Sequence, residues 1–353
     1  MKHITRKIGF LLVLALAFTF VACSGKEEPV KSTKGPEATK KVSDFKVGIV
    51  VGKVEAENSG FVKSAMNGLD NFETKTGCKV SIIKVDSEAD VEEASKELIR
   101  EKCDLIWAVG TLYGEELLKV AKDNPNVNFA VVDGKYENVP DNVTGVGFRS
   151  NEASFLAGYI AASKSKTGKI AFIGGKTSEV LEGFEVGFKA GAIYYNENII
   201  VEAKYAETFT DTKVVRNIAK ELYDGGYDVI FPAAGAAGVG AIEEAVAQGK
   251  YVIGVDVDQS YLGEEVVVTS VLKMVDSAVE YACLRAKEGI DIGGQNLEYG
   301  LADGAVGITQ YSDKFIALSE QNKIDNLKEM IVSDRLTVPE TQKELAEFKP
   351  VRE

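Results

Sequence analysis

Two carboxylates at the end of an apolar run are the residues of this sequence with the clearest chemical potential. The stretch VIGVDVDQSY, residues 252–261, leads from valine, isoleucine and glycine into Asp256 and then Asp258. Paired acids in a pocket can catalyse glycoside hydrolysis, and they can also accept hydrogen bonds from neighbouring sugar hydroxyls. A solvated turn and a pair of calcium ligands are further interpretations of the same pattern.

Aromatic and charged residues follow other apolar runs. Phe61 lies at a predicted helix start just after Ser59, and Phe209 precedes TDTK, another N-cap candidate. Asp133 follows NFAVV, and Lys273 ends TSVLK. Two facing phenyl rings can hold a flat ring, each stacking contact contributing ~1–3 kcal/mol. Such a pocket suits a nucleoside, or a hexose on an aromatic platform. Alternatively, each Phe is a hydrophobic staple and Asp133 caps a loop.

A run of small residues, PAAGAAGVGA at residues 232–241, follows another apolar stretch. It lacks the Lys-Ser/Thr pair of a phosphate-binding P-loop and fits the dinucleotide fingerprint poorly. We therefore expect the small residues of this run to let a ligand approach the backbone.

Strands must hold these residues, and their pattern is regular. Ten β-branched runs, from KVGIVV to VVVTSV, alternate with longer helical stretches such as GEELLKVAKDN. This alternation predicts an α/β fold with parallel sheets covered by helices on both faces. In open parallel sheets, ligands bind beyond the carboxyl ends of the strands, where the candidate residues lie.

So many strands would overload one sheet, and the pattern breaks near GFRSNEASF, where we expect Ser150 or Asn151 to cap a helix. The sequence therefore predicts two lobes with a cleft between them. The N-terminal lobe comprises residues 45–147 plus 272–303. The C-terminal lobe comprises residues 148–271 plus 304–353.

The N-terminus is typical of a targeting segment. A basic start and an apolar run of about 15 residues, too short for a membrane span, predict a signal peptide at residues 1–22. Ala22 directly before Cys23 resembles a bacterial lipobox, which predicts a lipidated cysteine; an ordinary signal peptide is the alternative. Residues 23–44 are rich in Lys, Glu, Ser and Thr and predict a flexible tether. Cleavage would remove His3, the only histidine, which excludes Ser-His-Asp catalysis and His-ligated metal sites.

Charge and cysteine content narrow the possibilities further. The net charge of −13 argues against a nucleic-acid partner. Cys78 and Cys103 each precede a predicted strand, and those strands flank the first one. Their starts would lie about 10 Å apart, too far for a disulfide. We expect both, with Cys283, to be free thiols.

Together these motifs resemble the basic membrane protein family of bacterial solute-binding lipoproteins, from about Phe45 to the C-terminus. The more specific segments are NEASFLAGYIAA and GVDVDQS. The resemblance also rests on the segments FAVVD, GKIAFIGG, GFEVGFKAGA, ETFTDTK, ELYDGGYDVIFPAAGAAGVG, VVTSVLKMVD and YGLADGAVGIT.

The resemblance implies a type I periplasmic-binding-protein fold with a three-crossover hinge. It also implies a monomer that delivers a purine nucleoside to an ABC permease, without a cofactor, a metal or a catalytic residue. Phe61 and Phe209 would stack the base. Asp256 and Lys273 would bind the ribose hydroxyls, with Lys273 neutralising Asp256. Asp133 would contact the base or the pocket floor. Gly235 and Gly238 would line the pocket with their backbone.

Two positions depart from the family pattern. Many relatives carry Asp and Asn where this chain has Gly52 and Val62. The change predicts a void and an apolar surface beside the base, unless Lys53, Glu55 or Asn58 nearby replaces the lost contacts. A larger flat ligand such as riboflavin is therefore an alternative. A ligand sensor without a transporter and a nucleoside hydrolase are two further hypotheses.

Overall fold

Two six-stranded sheets with helices on their faces form the part of the chain that this computed structural model describes, residues 44–312 and 314–350. The predicted signal peptide, Cys23 and all but the last residue of the predicted tether lie outside the described residues. Within the described ranges, no helix is long and apolar enough to span a bilayer.

The first sheet has the order β11-β5-β4-β3-β1-β2, and all its strands are parallel. Its strands are β1 Lys46–Gly52, β2 Lys79–Val85, β3 Leu105–Val109, β4 Asn128–Val132, β5 Val143–Phe148 and β11 Gln295–Tyr299. Its helices are α1 Lys53–Asn58, α2 Gly60–Thr76, α3 Val91–Arg100, α4 Thr111–Asp123 and α9 Val275–Lys287. We call this sheet and its helices the first lobe.

The second sheet has the order β12-β10-β9-β8-β6-β7 and is parallel except for β12. Its strands are β6 Lys169–Gly174, β7 Ile200–Tyr205, β8 Val229–Ala233, β9 Tyr251–Asp256, β10 Val267–Lys273 and β12 Val306–Ile308. Its helices are α5 Ser150–Lys164, α6 Glu179–Tyr195, α7 Thr212–Asp224, α8 Val239–Gln248, α10 Leu318–Val332 and α11 Gln342–Glu347. These elements form the second lobe. The predicted α/β class with two parallel-stranded lobes is confirmed.

The central strands form where they do because their residues are buried on both faces. Every residue of β3 is buried, and Trp107 in it is 0% exposed. Helices cover the sheets, and some of them begin at side-chain caps. At the start of α2, Ser59 accepts a hydrogen bond from Val62 N, and at the start of α7, Asp211 accepts from Lys213 N and Val214 N.

The predicted cap of α5 is wrong. The helix begins at Ser150 itself, and Arg149, its N-cap, makes no side-chain cap. The amide of Asn151 instead donates to Val338 O at 3.0 Å. Asn151 therefore ties the C-terminal segment of the chain to the start of α5.

The chain crosses between the sheets three times: after β5, after β10 and after β11. Phe148 still pairs in the first sheet with Tyr299, and Lys273 pairs in the second with Val306. These strand ends lie one or two residues beyond the lobe boundaries that the sequence predicts. The crossings bring the carboxyl ends of both sheets to one cleft.

The three cysteines of the described region are free and buried, as predicted. Cys78 and Cys283 belong to the core on one face of the first sheet, and Cys103 belongs to the core on its other face. Burial raises the pKa of Cys103 to about 11 and that of Cys283 to about 12. Both thiols therefore stay protonated at neutral pH and serve as packing groups.

Candidate ligand-binding site

A cavity of about 360 Å³ lies between the two lobes, at the carboxyl ends of the strands. Both lobes contribute to its wall, and this volume lies within the range of small-molecule sites, roughly 300–1,000 Å³. Of the seven ligand-binding residues predicted from sequence, six line the cavity: Phe61, Asp133, Phe209, Gly235, Asp256 and Lys273.

Two carboxylates stand at strand ends on opposite sides of this cavity. Asp133 directly follows β4 in the first lobe, and Asp256 ends β9 in the second. Both have left-handed backbone conformations, with φ of 60° and 66°. Residues other than glycine rarely adopt this conformation, although Asp tolerates it better than most. The turn after each strand thus carries local strain at the cavity wall.

Lys273, the last residue of β10, is ion-paired with Asp133. Its ammonium lies 2.8 Å and 2.9 Å from the two carboxylate oxygens, and its side chain is 2% exposed. The rings of Phe61, Phe148 and Phe184 surround this ammonium, with centroids 4.8, 5.3 and 5.2 Å away. Three aromatic faces and one carboxylate therefore stabilise the buried cation.

This arrangement corrects the expected role of Lys273. Lys273 was expected from the sequence to neutralise Asp256, but the direct partner of Lys273 is Asp133 in the other lobe. Lys273 acts on Asp256 only through its charge, which lowers the pKa of that carboxyl.

Of the two carboxylates Asp133 and Asp256, Asp256 is the one that could accept hydrogen bonds from a ligand, because Asp133 is paired with Lys273. Among the described residues, the structure records no hydrogen bond or ion pair to its side chain. Burial raises the pKa of Asp256 to about 6; the charge of Lys273 opposes this shift and that of Asp133 adds to it. A carboxylate in this state gains from any ligand that donates hydrogen bonds to it.

The two predicted phenyl rings belong to opposite lobes and both line the cavity. Phe61 is partly buried and packs against the core of the first lobe, and Phe209 packs in the same way against that of the second. A Cβ added at Gly175 would lie 2.2 Å from Cε1 of Phe209. The absence of a side chain at Gly175 therefore gives the Phe209 ring its place in the wall.

The placement predicted for Gly238 is wrong. Gly235, with φ of 54°, lines the cavity, but Gly238 is buried in the 3-10 turn Gly235–Gly238 and does not line it. The turn carries the backbone away from the cleft. Asp258 also lies apart from the cavity: it is exposed, and its carboxylate accepts a hydrogen bond from Ser260 N at 2.9 Å.

The void expected beside Gly52 is not present. A Cβ at Gly52 would lie 2.2 Å from Oε2 of Glu55 and 2.4 Å from Oη of Tyr113, so these two groups occupy the space. Val62, 5% exposed, lines the same end of the cavity and belongs to the core of the first lobe. Glu55 therefore places a carboxylate at this end of the cavity.

The other two polar neighbours do not line the cavity. Lys53 is ion-paired with Asp86 at 2.8 Å, and the amide of Asn58 donates to Val54 O at 2.9 Å. Of the three candidates near Gly52, only Glu55 is therefore placed to contact a ligand.

Phe148 and Phe184, whose rings contact Lys273, were not expected from the sequence as site residues. The signal for Phe184 was an internal repeat: GF stands at residues 60–61 and again at 183–184, at the same distance from a Gly-Lys pair after β1 and after β6. Phe61 and Phe184 thus occupy corresponding positions in the two lobes, and both contact Lys273.

A cavity between two parallel-sheet lobes, walled by strand ends from both, is the architecture of the solute-binding proteins of ABC transporters. The sequence model of the Bmp family, described as ABC transporter substrate-binding protein PnrA-like, matches residues 45–342. The chain belongs to this family.

Individual relatives agree with this assignment. The chain is 34% identical over 344 residues to "Basic membrane protein A" of Borreliella burgdorferi, covering 96% of this chain and 97% of that protein. It is 32% identical over 361 residues to the "CD4+ T-cell-stimulating antigen" of Listeria monocytogenes, covering 96% and 99%. Among solved structures, an ABC transporter solute-binding protein from Aeropyrum pernix K1 is similar, with a TM-score of 0.76 and 25% identity over 86% of this chain and 96% of that chain.

Proposed function

We propose that this protein is the membrane-anchored, solute-binding lipoprotein of an ABC importer and that it captures a nucleoside in the cavity between its lobes. The observation that carries the proposal is a free carboxylate, Asp256, in a cavity that phenyl rings from both lobes also line. A nucleoside joins a flat base to a vicinal diol and so matches both features.

Asp256 would hold the ribose by accepting hydrogen bonds from its two neighbouring hydroxyls. Charge-assisted hydrogen bonds of this kind are about twice as strong as neutral ones. Lys273 directs two contacts at Asp133 and has a third N–H that could donate to a ribose oxygen. Asp133 would then act on the ligand mainly by fixing the position of Lys273.

Phe61 and Phe209 would stack the two faces of the base. Because one ring comes from each lobe, the base would bridge them, and binding would favour the arrangement in which the lobes approach. The lobes already contact one another: a Cβ at Gly60 would lie 2.7 Å from Cγ2 of Val257, and Lys176 lies 3.7 Å from Glu88. Gly235 would line the pocket with its backbone.

Titration calorimetry with purified protein tests the ligand class. We expect a purine nucleoside to bind tightly, while free bases and simple sugars bind weakly or not at all. If riboflavin binds and no nucleoside does, the nucleoside assignment is contradicted, and riboflavin becomes the proposed ligand. Release of free base from a bound nucleoside would instead indicate a hydrolase.

Anchoring is a separate part of the proposal. Cys23 would carry the lipid and become the mature N-terminus, and residues 23–44 would tether a monomeric binding domain on the outer face of the cell membrane. We expect Cys23→Ala to move the protein from the membrane fraction to the medium or the soluble fraction. Unchanged membrane association of that variant would contradict the lipid anchor.

Coupling to transport is tested in cells. We expect deletion of the gene to reduce uptake of the bound nucleoside, and we expect genes for a permease and an ATPase beside it. Normal uptake in the deletion strain, with a loss of the response to the ligand, would favour the ligand sensor.

A further inference from the structure

Glu55 and Tyr113 together form a polar pair at one end of the cavity, beside Gly52 at the end of β1. Oε2 of Glu55 and Oη of Tyr113 lie 2.2 Å and 2.4 Å from the point where a Cβ of Gly52 would stand. The two residues come from different helices, α1 and α4, and both line the cavity. The missing side chain at Gly52 is what allows them to meet there.

The proton between them belongs to the tyrosine. Burial is the main cause that raises the pKa of Tyr113, and the charge of Glu55 and a hydrogen bond to Glu55 raise it further. The hydroxyl therefore keeps its proton and is the donor in its hydrogen bond to the Glu55 carboxylate. What remains for a ligand is a set of acceptors: the other lone pairs of Glu55 and the oxygen of Tyr113.

The surroundings of the pair are also acidic. Asp86 and Glu88 line the same cavity, and the charge of Glu88 adds to the shift at Tyr113. The cationic side chains that line the cavity within the described ranges are Lys176 and Lys273, and these are ion-paired with Glu88 and Asp133. This end of the cavity thus favours a neutral ligand edge that carries N–H donors.

The pair lies at a suitable distance from the sugar end. In the first sheet β3 separates β1 from β4, so the ends of β1 and β4 are about two strand spacings apart, ~10 Å. Asp133 follows β4 and lies beside Lys273, which marks the ribose end of the proposed site. A nucleoside held at that end reaches Glu55 with the far edge of its base.

We propose that Glu55, oriented by Tyr113, recognises a base edge with two adjacent N–H donors, which makes the protein selective for guanine nucleosides. This rests on the nucleoside function proposed above. Guanine presents a ring N–H and a neighbouring amino group on one edge, matching a carboxylate with a second acceptor beside it. Adenine presents a ring nitrogen acceptor on that edge, which would face the acceptors of Glu55 without a proton between them.

Four ribonucleosides separate these contacts in titration calorimetry: guanosine, inosine, 2-aminopurine riboside and adenosine. Guanosine has both donors, inosine has the ring N–H alone, and 2-aminopurine riboside has the amino group alone. We expect guanosine to bind most tightly, the two single-donor ligands to be intermediate, and adenosine to bind about 10- to 100-fold more weakly than guanosine.

Variants of Glu55 and Tyr113 test whether these two residues cause this order of affinities. Glu55→Gln should weaken the binding of guanosine by about tenfold or more, and it should leave the affinity for adenosine unchanged or increase it. Tyr113→Phe, which keeps the ring and removes the hydroxyl, should reduce the preference in the same direction. Glu57→Gln is the matched control, because Glu57 lies on the same helix but is exposed and does not line the cavity; its affinities should equal those of the wild type.

These experiments give different results if the guanine selectivity is wrong and if the proposed nucleoside function is wrong. The role of Glu55 would be overturned if the protein bound adenosine as tightly as guanosine or more tightly. It would also be overturned if Glu55→Gln lost the same affinity for both ligands. Either result would leave the proposed nucleoside function in place. Failure of all four ribonucleosides to bind the wild type would overturn both.

Discussion

Asp133 and Asp256 occupy the same position in the two sheets and differ in their partners. Each stands at the end of the third strand in its sheet order, β4 or β9, and each has a left-handed backbone. Asp133 is neutralised by Lys273, which crosses the cleft from the second lobe. Asp256 has no such partner among the described residues. The two equivalent strand ends thus carry one ion-paired carboxylate and one carboxylate that has no ion-pair partner among the described residues.

Ligand affinity should depend on pH through Asp256. Its pKa without ligand is about 6, and hydrogen bonds from ribose hydroxyls favour the ionised form, so ligand binding must lower this pKa. We expect the dissociation constant for guanosine to rise as the pH falls through 6, approaching about tenfold per unit of pH. Calorimetry between about pH 7.5 and about pH 5 measures this. A dependence that persists unchanged in Asp256→Asn would assign it to another group.

Ionised Asp256, which favours ligand binding, should lower the folding stability of the ligand-free protein. A raised carboxyl pKa stabilises the folded state fully below the unfolded value of 3.8, and that contribution is lost as the pH rises through 6. At neutral pH, Asp256→Asn should therefore increase the free energy of unfolding by about 1–3 kcal/mol. Asn also tolerates the left-handed backbone. Denaturant titrations near neutral pH would contradict this if the variant were less stable than the wild type.

Phe209 should contribute to binding more than to folding. Loss of one stacking face in Phe209→Ala should weaken guanosine binding by ~1–3 kcal/mol. The melting temperature of the free protein should change little, because the ring is only partly buried. Phe231→Ala is the contrasting variant, since that ring is 0% exposed and its loss should cost about 3–5 kcal/mol of stability. A stability loss of that size in Phe209→Ala, with unchanged affinity, would identify Phe209 as a core residue.

Lys273 should be required for stability as well as for binding. Lys273→Met would leave the carboxylate of Asp133 largely buried without its partner, and breaking a buried pair in this way costs about 3–5 kcal/mol. The double variant Lys273→Met, Asp133→Asn removes the stranded charge and should recover part of that loss in denaturant titrations. Wild-type stability in the single variant would show that the pair does not contribute to the folded state.

The sequence predicted the strands well where burial imposed a continuous apolar run. Strands β1 to β10 all form where the apolar or β-branched runs predict them, although the edge strands β2 and β7 are only partly buried. Strand β11, Gln295–Tyr299, was missed because it is a partly exposed edge strand with two apolar residues among five. Strand β12, Val306–Ile308, has three residues and runs antiparallel to β10. Edge strands as short or as polar as these two owe their place to a neighbouring strand, and a local pattern does not contain that information.

The site was predictable to the extent that it follows strand ends. Six residues line one cavity because the carboxyl ends of parallel strands meet at one edge. The pair between Lys273 and Asp133 was not predictable, since it joins residues 140 positions apart in two lobes. The same holds for Glu55 and Tyr113, which meet only because α1 and α4 both reach the end of β1.

Calorimetry with guanosine and its 2′,3′-dideoxy analogue, on wild type and Asp256→Ala, tests the central claim most directly. We predict that removal of both hydroxyls weakens wild-type binding by about tenfold or more and that Asp256→Ala abolishes most of this difference while sparing affinity for free guanine. Asp258→Ala, which alters an exposed carboxylate outside the cavity, should behave as wild type. Equal binding of the two ligands to the wild type would contradict the account, because Asp256 would then not hold the sugar.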